Sequence, residues 1–261
     1  MNVIWRTTRS LGEGRRKFEV CIVKPPAANV VLVSHTDNPV ELMSIVANTY
    51  NGVLQDYISE EEREKVLEDI KNTKLKTPTE MIHFVWLIEN VSRAFTHQLV
   101  RYRVGTSFAQ ESMRFYGQRP EYFILGTGLT TASDNLASYG GTMADAIDRY
   151  EMLVDRGVPA QDARGLLPTN ILTSIFFDCS LATLQNIFNQ RMCCQAQHPE
   201  WLPVLVSMRK ILNLLFGPNL TDFIKSPIER GEPCGYNASF DRPCTWKQGQ
   251  QINEQEVLAR I

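Results

Sequence analysis

The stretch MIHFVWLIENVSRAFTHQLVRYR (81–103) passes from an apolar half into a polar half that ends on Arg101 and Arg103. Residues 81–89 are rich in aromatic and branched side chains, which predicts a buried strand better than an amphipathic helix. Asn90 or Ser92 then caps a helix that continues to Arg103, because both side chains accept hydrogen bonds from a first helical turn. A buried strand leading directly into a capped helix is the starting point for the fold.

Shorter signals extend the fold in both directions along the chain. Residues 18–23 and 29–34 form two apolar runs that predict buried strands, and Pro39 stands at the first position of a predicted helix. Residues 104–118 look irregular, and residues 119–140 look like a loop. Helices are predicted over 39–50, 62–72, 142–156, 181–195 and 203–216. Strands and helices mix without strict alternation, which indicates an α+β fold.

Composition limits the classes of protein that the chain can represent. Its 261 residues carry 27 basic and 29 acidic side chains, a net charge of −2. That balance is not the signature of a protein held to nucleic acid by overall charge, so a bound anion needs a local cluster. There is no apolar run of about 18 residues and no signal-peptide core, so we expect a cytoplasmic protein with reduced thiols. We expect one domain over residues 1–217 and a loosely structured tail over 218–261.

Arginine and polar side chains are concentrated between residues 98 and 114. The set comprises Gln98, Arg101, Arg103, Ser107, Gln110, Ser112 and Arg114. Guanidinium groups bind phosphate in bidentate geometry, and hydroxyl and backbone N–H groups complete such sites. The pattern therefore indicates either an anion-binding site or a solvated basic surface, and composition alone leaves both open.

A second polar group lies further along the chain. Arg164 stands in a loop-like segment, and Asn186, Asn189, Gln190 and Arg191 lie on one predicted helix. Residues three and four apart share a helix face, so the amides form a polar stripe beside apolar neighbours. The stripe is either an ordinary solvated helix face or part of a ligand site.

Three ordered motifs resemble the flavin-dependent thymidylate synthases. The first, EMIHFVWLIENVSRAFTHQLVRYRVGTSFAQESMRFY (80–116), is similar to the family's Arg-His-Arg motif followed by Ser. The second is GVPAQDARGLLPTN (157–170), and the third is LQNIFNQRMCCQAQHPEW (184–201). Because the three follow one another in the family's order, together they are far more specific than any one of them.

The sequence departs from the family pattern at four places. Tyr102 stands where the motif has His, and Met81 replaces another common His. Eight residues rather than seven separate Arg103 from Ser112, with the extra residue before Ser107. Gln110 stands where many members have Glu.

The resemblance implies an α+β fold in which an antiparallel sheet packs with a helical bundle region, assembled as a homotetramer whose subunits share binding sites. It also implies reductive methylation of dUMP to dTMP. The one-carbon donor would be 5,10-methylenetetrahydrofolate, and the hydride carrier would be FAD reduced by NADPH. In such a reaction the cofactors perform the difficult steps, and the protein positions and polarises the reactants.

The resemblance also assigns roles by position. The implied FAD-binding residues are Arg101, Tyr102, Arg103, Gln110 and Asn186. The implied dUMP-binding residues are Gln98, Gln110, Glu111, Ser112, Arg114, Arg164 and Arg191. Arg191 is the candidate for catalysis, since a guanidinium beside uracil stabilises developing negative charge, and Ser112 would orient the nucleotide.

Other interpretations of the residues remain open. A nucleic-acid-binding protein would use the arginines together with the aromatic residues Phe108, Phe115 and Tyr116. A zinc protein would draw on Cys193, Cys194, His198, Cys234 and Cys244, but adjacent cysteines lack the usual ligand spacing. We expect no metal, no membrane and no nucleic acid as partners.

No cysteine is expected to act as the nucleophile. The sequence has no Pro-Cys-His tripeptide, and Pro233-Cys234 and Pro243-Cys244 are followed by Gly and Thr. An unperturbed thiol with a pKa near 8.5 is mostly protonated at pH 7. The cysteines therefore lack an activating neighbour in the sequence.

Overall fold

The computed structural model describes residues 1–10, 17–24, 27–73, 76–113, 121–125, 133–193, 200–232, 245–247, 249–252 and 255. The strands are β1 (Asn2–Ser10), β2 (Lys17–Lys24), β3 (Asn29–His35), β4 (His83–Ser92), β5 (Thr106–Gln110), β6 (Glu121–Ile124) and β7 (Leu172–Ser180). The helices are α1 (Pro39–Thr49), α2 (Glu60–Asn72), α3 (Thr77–Glu80), α4 (Arg93–Leu99), α5 (Ser133–Asp155), α6 (Ala160–Ala163), α7 (Leu181–Arg191), α8 (Trp201–Phe216) and α9 (Pro218–Thr221). Two 3-10 turns cover Arg164–Leu166 and Asp222–Ile224.

An antiparallel sheet of four strands, in the order β3-β4-β7-β5, forms the main layer. Along β4, Phe84, Trp86 and Ile88 are fully buried, and the residues between them are only partly buried. This alternation places one face of the sheet against the core, which it shares with α4, α7 and α8. The predicted α+β class with an antiparallel sheet and packed helices is confirmed.

A second sheet of three strands lies in the order β1-β2-β6. Its strand β2 pairs antiparallel with β1 and parallel with β6. Helix α5 covers this sheet, and Ile147 and Tyr150 of α5 pack against Val20 and Phe123. Gly140 permits the approach, because a Cβ there would lie 2.6 Å from the ring of Trp5.

The structure corrects the sequence analysis over 104–140 and adds a strand over 172–180. Residues 106–110 form β5 rather than irregular chain, and the expected loop contains β6 and the start of α5. Strand β7 was not predicted, although it pairs with both β4 and β5. Its sequence, LTSIFFDCS, mixes polar and apolar residues, and pairing on both edges stabilises it where local pattern did not indicate a strand.

Helix α4 is shorter than the sequence predicted. Ser92 caps it by accepting a hydrogen bond from the Phe95 backbone N–H, and the helix ends at Leu99 rather than Arg103. Asn90 instead has a positive φ of 57°, at a register shift in β4. Because the helix ends early, residues 101–105 form a loop.

The expected loose tail after residue 217 is wrong for the residues that are described. Leu220 and Ile224 are fully buried in the main core, and Trp246 and Ile252 are 4% and 1% exposed. Their apolar side chains explain this packing. No helix within the described ranges is long and apolar enough to cross a membrane.

A buried ion pair between Arg209 and Glu229 ties this last segment to α8. Arg209 Nη1 lies 2.7 Å from Glu229 Oε1, and the Glu229 side chain is fully buried. The same carboxylate accepts from the backbone N–H groups of Ser226 and Ile252. These donors satisfy both oxygens of a carboxylate that is shielded from water.

Candidate active site

Helix α4 is held at its first residue by a buried carboxylate. The Ser92 hydroxyl donates to Glu200 Oε2 at 2.6 Å, and the Ser92 backbone N–H donates to Glu200 Oε1 at 2.7 Å. Glu200 is 2% exposed and stands directly before α8. Its burial raises the pKa of Glu200 to about 7, although the two hydrogen bonds from Ser92 favour the charged form.

The last turn of α4 is held by the next residue, Trp201. Its indole Nε1–H donates to Gln98 Oε1 at 2.8 Å, and its ring lies 4.6 Å from that of Phe95, centroid to centroid. Two consecutive residues, Glu200 and Trp201, therefore clamp α4 at both ends. Since Gln98 is on this helix, the clamp fixes the place of a predicted dUMP-binding residue.

Tyr102 and Arg191 meet beside the same tryptophan. Arg191 Nε donates to the Tyr102 hydroxyl at 3.1 Å, and the guanidinium carbon lies 5.0 Å from the centroid of the Trp201 ring. That separation is typical of a cation–π contact. The Tyr102 ring faces Trp201 edge-on at 6.3 Å.

The amides of α7 continue this network. The Tyr102 hydroxyl donates to Gln190 Oε1 at 2.9 Å, and Gln190 Nε2 donates to Asn186 Oδ1 at 2.9 Å. The structure therefore joins the first motif to the third, through Tyr102, Arg191 and Asn186. We call Gln98, Tyr102, Asn186, Gln190, Arg191 and Trp201 the Trp201 cluster.

Arg101 and Arg103 lie in the exposed loop beside the cluster. Both side chains are exposed, and within the described ranges no hydrogen bond or ion pair holds either guanidinium. The backbone of the loop is fixed nonetheless, since Thr183 Oγ1 donates to the Val104 carbonyl at 2.6 Å. Gly105 has a φ of +60°, and a Cβ there would lie 2.9 Å from the Ser180 hydroxyl. The extra residue of the motif thus falls in a turn that requires glycine.

The end of β5 brings Gln110 and Glu111 to the other side of α4. Gln110 Nε2 donates to Thr96 Oγ1 at 2.7 Å, and Arg93 donates to the Glu111 carbonyl. Ser112 follows directly and is half-buried. These predicted substrate residues therefore adjoin the helix that carries Gln98.

Two predicted residues are not joined to the cluster. Arg164 is exposed in the 3-10 turn after α6, which packs with α5. Within the described part of the chain, no hydrogen bond links it to the acceptor groups of the cluster on Gln98, Tyr102 or Gln190. Arg114 lies outside the described residues, as do Phe115 and Tyr116.

The cysteines show no catalytic setting in the part that is described. Cys21 and Cys179 are buried, and burial raises the pKa of both thiols. Cys193 is half-buried, whereas Cys194, His198, Cys234 and Cys244 lie outside the described residues. Among the residues that are described, no three His, Cys, Asp or Glu side chains are grouped to hold a metal ion.

Comparison with known families gives a match over residues 31–213, to the family described as thymidylate synthase complementing protein. That range contains α4, the exposed loop and the Trp201 cluster. The chain belongs to this family. The prediction made from the three motifs is therefore confirmed.

Individual members support the same assignment. A flavin-dependent thymidylate synthase of Sulfurisphaera tokodaii is 31% identical over 219 residues, which cover 78% of this chain and 83% of that protein. The flavin-dependent thymidylate synthase of Geobacter sulfurreducens is 30% identical over 175 residues, which cover 64% of this chain and 75% of that protein.

A solved structure shares the fold. The UMP/dUMP methylase PolB from Streptomyces cacaoi, bound with 5-Br dUMP, superposes with a TM-score of 0.62 at 16% identity. The match covers 77% of this chain and 95% of that one. At this identity the likeness supports the architecture of the family.

Sequence reasoning missed the two residues that organise the site. Glu200 and Trp201 stand at the end of the third motif, but no role was given to either. A carboxylate beside a large aromatic residue, directly before an apolar helix, was the available signal. Only the tertiary structure shows that both reach α4.

Proposed function

We propose that the chain methylates dUMP to dTMP, with 5,10-methylenetetrahydrofolate as one-carbon donor and with FAD that NADPH reduces. The observation that carries the proposal is the Trp201 cluster. It joins Gln98 of the first motif to Arg191 of the third in a chain that belongs to the thymidylate synthase complementing family.

The exposed arginines fit a flavin dinucleotide. Arg101 and Arg103 project from a loop with a fixed backbone, and within the described ranges neither guanidinium has a partner. A diphosphate would supply the missing charge, because guanidinium groups pair with phosphate through two parallel hydrogen bonds. When bound and reduced by NADPH, the flavin would supply the hydride that completes the methyl group.

Arg191 is the residue suited to stabilise the uracil ring as negative charge develops on it. Its guanidinium is half-buried, and among the described residues only its Nε is hydrogen-bonded. A fixed positive charge in a partly desolvated site is worth more than the same charge in water. Gln98 and Ser112 would hold the nucleotide, and Gln110 and Glu111 would extend that surface along α4.

We propose that the sites lie between the subunits of a homotetramer. Arg164, a predicted substrate residue, lies in the 3-10 turn that packs with α5, and in this arrangement it would complete the site around Arg191 of another copy. The outer face of the main sheet offers a surface for association. Its apolar row runs across all four paired strands through Val31, Leu87, Phe176 and Ala109.

The flavin spectrum and a single turnover test the function together. Purified protein should show flavin absorbance or acquire it with added FAD, and NADPH with dUMP should bleach it. Enzyme reduced beforehand should then form dTMP from dUMP and methylenetetrahydrofolate. A colourless protein that takes up no FAD, or a flavoprotein that forms no dTMP, would contradict the proposal.

Mixed tetramers test the shared site. Arg164→Ala and Arg191→Ala chains should regain part of the activity once they have exchanged subunits, if one site draws these two arginines from different chains. The Arg164→Ala chain mixed with itself is the control. Absence of recovery after exchange has been verified would place both arginines of a site on one chain.

A further inference from the structure

The Tyr102 hydroxyl is already used within the chain. It accepts from Arg191 Nε at 3.1 Å and donates to Gln190 Oε1 at 2.9 Å. A phenol has one proton to donate, so these two bonds are compatible and fix its direction. Gln190 then donates to Asn186 at 2.9 Å, which gives a directed series from Arg191 to Asn186.

Trp201 restrains the same arginine from another side. The ring lies 5.0 Å from the guanidinium carbon of Arg191 and is itself only 1% exposed. The same indole also holds Gln98, because its Nε1–H donates to Gln98 Oε1 at 2.8 Å. One buried ring thus contacts a predicted catalytic residue and a predicted substrate residue.

We infer that Tyr102 and Trp201 are a positioning pair, which sets the orientation of Arg191 and Gln98 toward the uracil of dUMP. The inference rests on the proposed function and changes the role of Tyr102, which the family resemblance placed among the FAD-binding residues. With its Nε bonded and its face against Trp201, the Arg191 guanidinium keeps for the substrate its Nη edge, which has no partner among the described residues.

The same geometry determines how Gln98 meets the substrate. Because Gln98 Oε1 accepts from the indole N–H, the amide is oriented so that Nε2 is its remaining end. An N–H donor there suits a carbonyl oxygen of uracil. A restrained donor and a restrained cation lose little conformational freedom when the nucleotide binds.

Removal of the Tyr102 hydroxyl is the first test. Tyr102→Phe keeps the ring against Trp201 but leaves Arg191 Nε without its acceptor, so single-turnover dTMP formation should fall about ten- to hundredfold. Dissociation constants for FAD and dUMP should stay within about threefold, which makes this a loss in the rate and not in binding.

Tyr139→Phe is the matched control. Tyr139 also has a bonded hydroxyl, which accepts from Asn170 at 2.7 Å. It lies on α5, in the core between that helix and the β1-β2-β6 sheet. The single-turnover rate of dTMP formation by Tyr139→Phe should match that of wild type. If Tyr102→Phe weakens FAD binding tenfold or more and leaves the single-turnover rate unchanged, Tyr102 is a flavin ligand and the inference is overturned.

Trp201→Phe tests the other half of the pair. The variant keeps an aromatic ring but loses the donor to Gln98, so dUMP affinity should fall. The double variant with Gln98→Ala should bind dUMP no more weakly than Gln98→Ala alone, since both changes remove one interaction. Fully additive losses would overturn the role assigned to Trp201.

A measurement that needs no activity separates this inference from the proposed function. In protein labelled with nitrogen-15 arginine, the Nε–H signal of Arg191, assigned by its absence in Arg191→Lys, should exchange slowly with solvent. Tyr102→Phe should abolish that protection, and Tyr139→Phe should preserve it. If wild type forms no dTMP, the proposed function fails, and this signal still decides whether Tyr102 restrains Arg191. Fast exchange in wild type would overturn the inference.

Discussion

The Trp201 cluster and the loop that carries Arg101 and Arg103 adjoin one another but differ in how their side chains are held. In the cluster, Tyr102 and Arg191 are hydrogen-bonded to each other beside a ring that is 1% exposed. In the loop, two arginines flank Tyr102 in sequence and project into solvent. The difference teaches that the chain by itself orders the groups proposed to lie next to the substrate. The outer arginines would be ordered by a bound ligand, at a cost in side-chain entropy.

Loss of the Arg191 guanidinium should have the largest effect. Arg191→Ala removes the charge that the cluster holds in place, and we expect single-turnover dTMP formation to fall by at least about a thousandfold. Arg191→Lys should recover only part of it, because an ammonium lacks the Nε donor to Tyr102. Arg149→Ala, an exposed arginine on α5, is the control and should match wild type. A loss below tenfold would mean that the cluster is structural.

The stability that Glu200 gives to the fold by clamping α4 should depend on pH. Its pKa of about 7 lies above the usual 4.5, so folding gains stability from this group below about pH 4.5 and loses that stability as pH rises through 7. Glu200→Gln lacks this titration. Between pH 4.5 and 8 the wild-type free energy of unfolding should therefore fall by about 3 kcal/mol relative to the variant.

Urea unfolding of the two proteins at both pH values measures this difference. Glu64→Gln, an exposed residue on α2, provides the control and should show no such divergence from wild type. Parallel behaviour of wild type and Glu200→Gln across this range would mean that Glu200 titrates as an exposed carboxylate does.

Removal of a loop arginine should affect ligand binding and leave the fold alone. Arg101→Ala should weaken FAD binding about ten- to hundredfold, the usual cost of a charge-assisted contact. The free energy of unfolding should stay within about 0.5 kcal/mol of wild type, because the side chain is exposed. Flavin titration and urea unfolding check the two parts, with Arg156→Ala as control. Loss of stability without loss of FAD affinity would contradict the comparison between the two regions.

Replacement of Cys193 should have the smallest effect on dTMP formation. It lies two residues after Arg191, yet a flavin route needs no protein nucleophile, so Cys193→Ser should keep single-turnover dTMP formation within about tenfold. A folded Cys193→Ser protein that binds FAD and dUMP but has lost several decades of rate would point to covalent catalysis.

Local signals predicted α1, α2, α7 and α8 to within a few residues of their observed ends, but they missed the start of α5 and the end of α4. Ser59 caps α2 by accepting from the Glu62 backbone N–H at 3.3 Å, as its position before the helix indicated. In a capping box the Glu62 side chain would also accept from the Ser59 backbone N–H, but among the described residues that carboxylate accepts from Asn48 on α1 instead. The competing partner is distant in sequence, and no local pattern shows it.

Three of the missed strands, β5, β6 and β7, depend on contacts between distant parts of the chain, whereas β1, which was also missed, pairs with its sequence neighbour β2. β5 and β7 pair with each other across roughly seventy residues of sequence, and β6 pairs with β2 across about a hundred. Short strands with mixed composition are stabilised by such neighbours, so their local sequence carries a weak signal.

By itself the sequence determined the family and the α+β class, and it supplied most of the polar residues proposed for the site, because these depend on ordered motifs and on hydrophobic periodicity. Only the tertiary structure decided that α4 ends at Leu99, that Glu200 and Trp201 clamp it, and that Tyr102 bonds to Arg191. Residues 102 and 191 are brought together by the packing of α7 and α8 around one buried indole. A contact across that separation is fixed by how helices pack against a shared core, and no residue's immediate neighbours in the chain encode it.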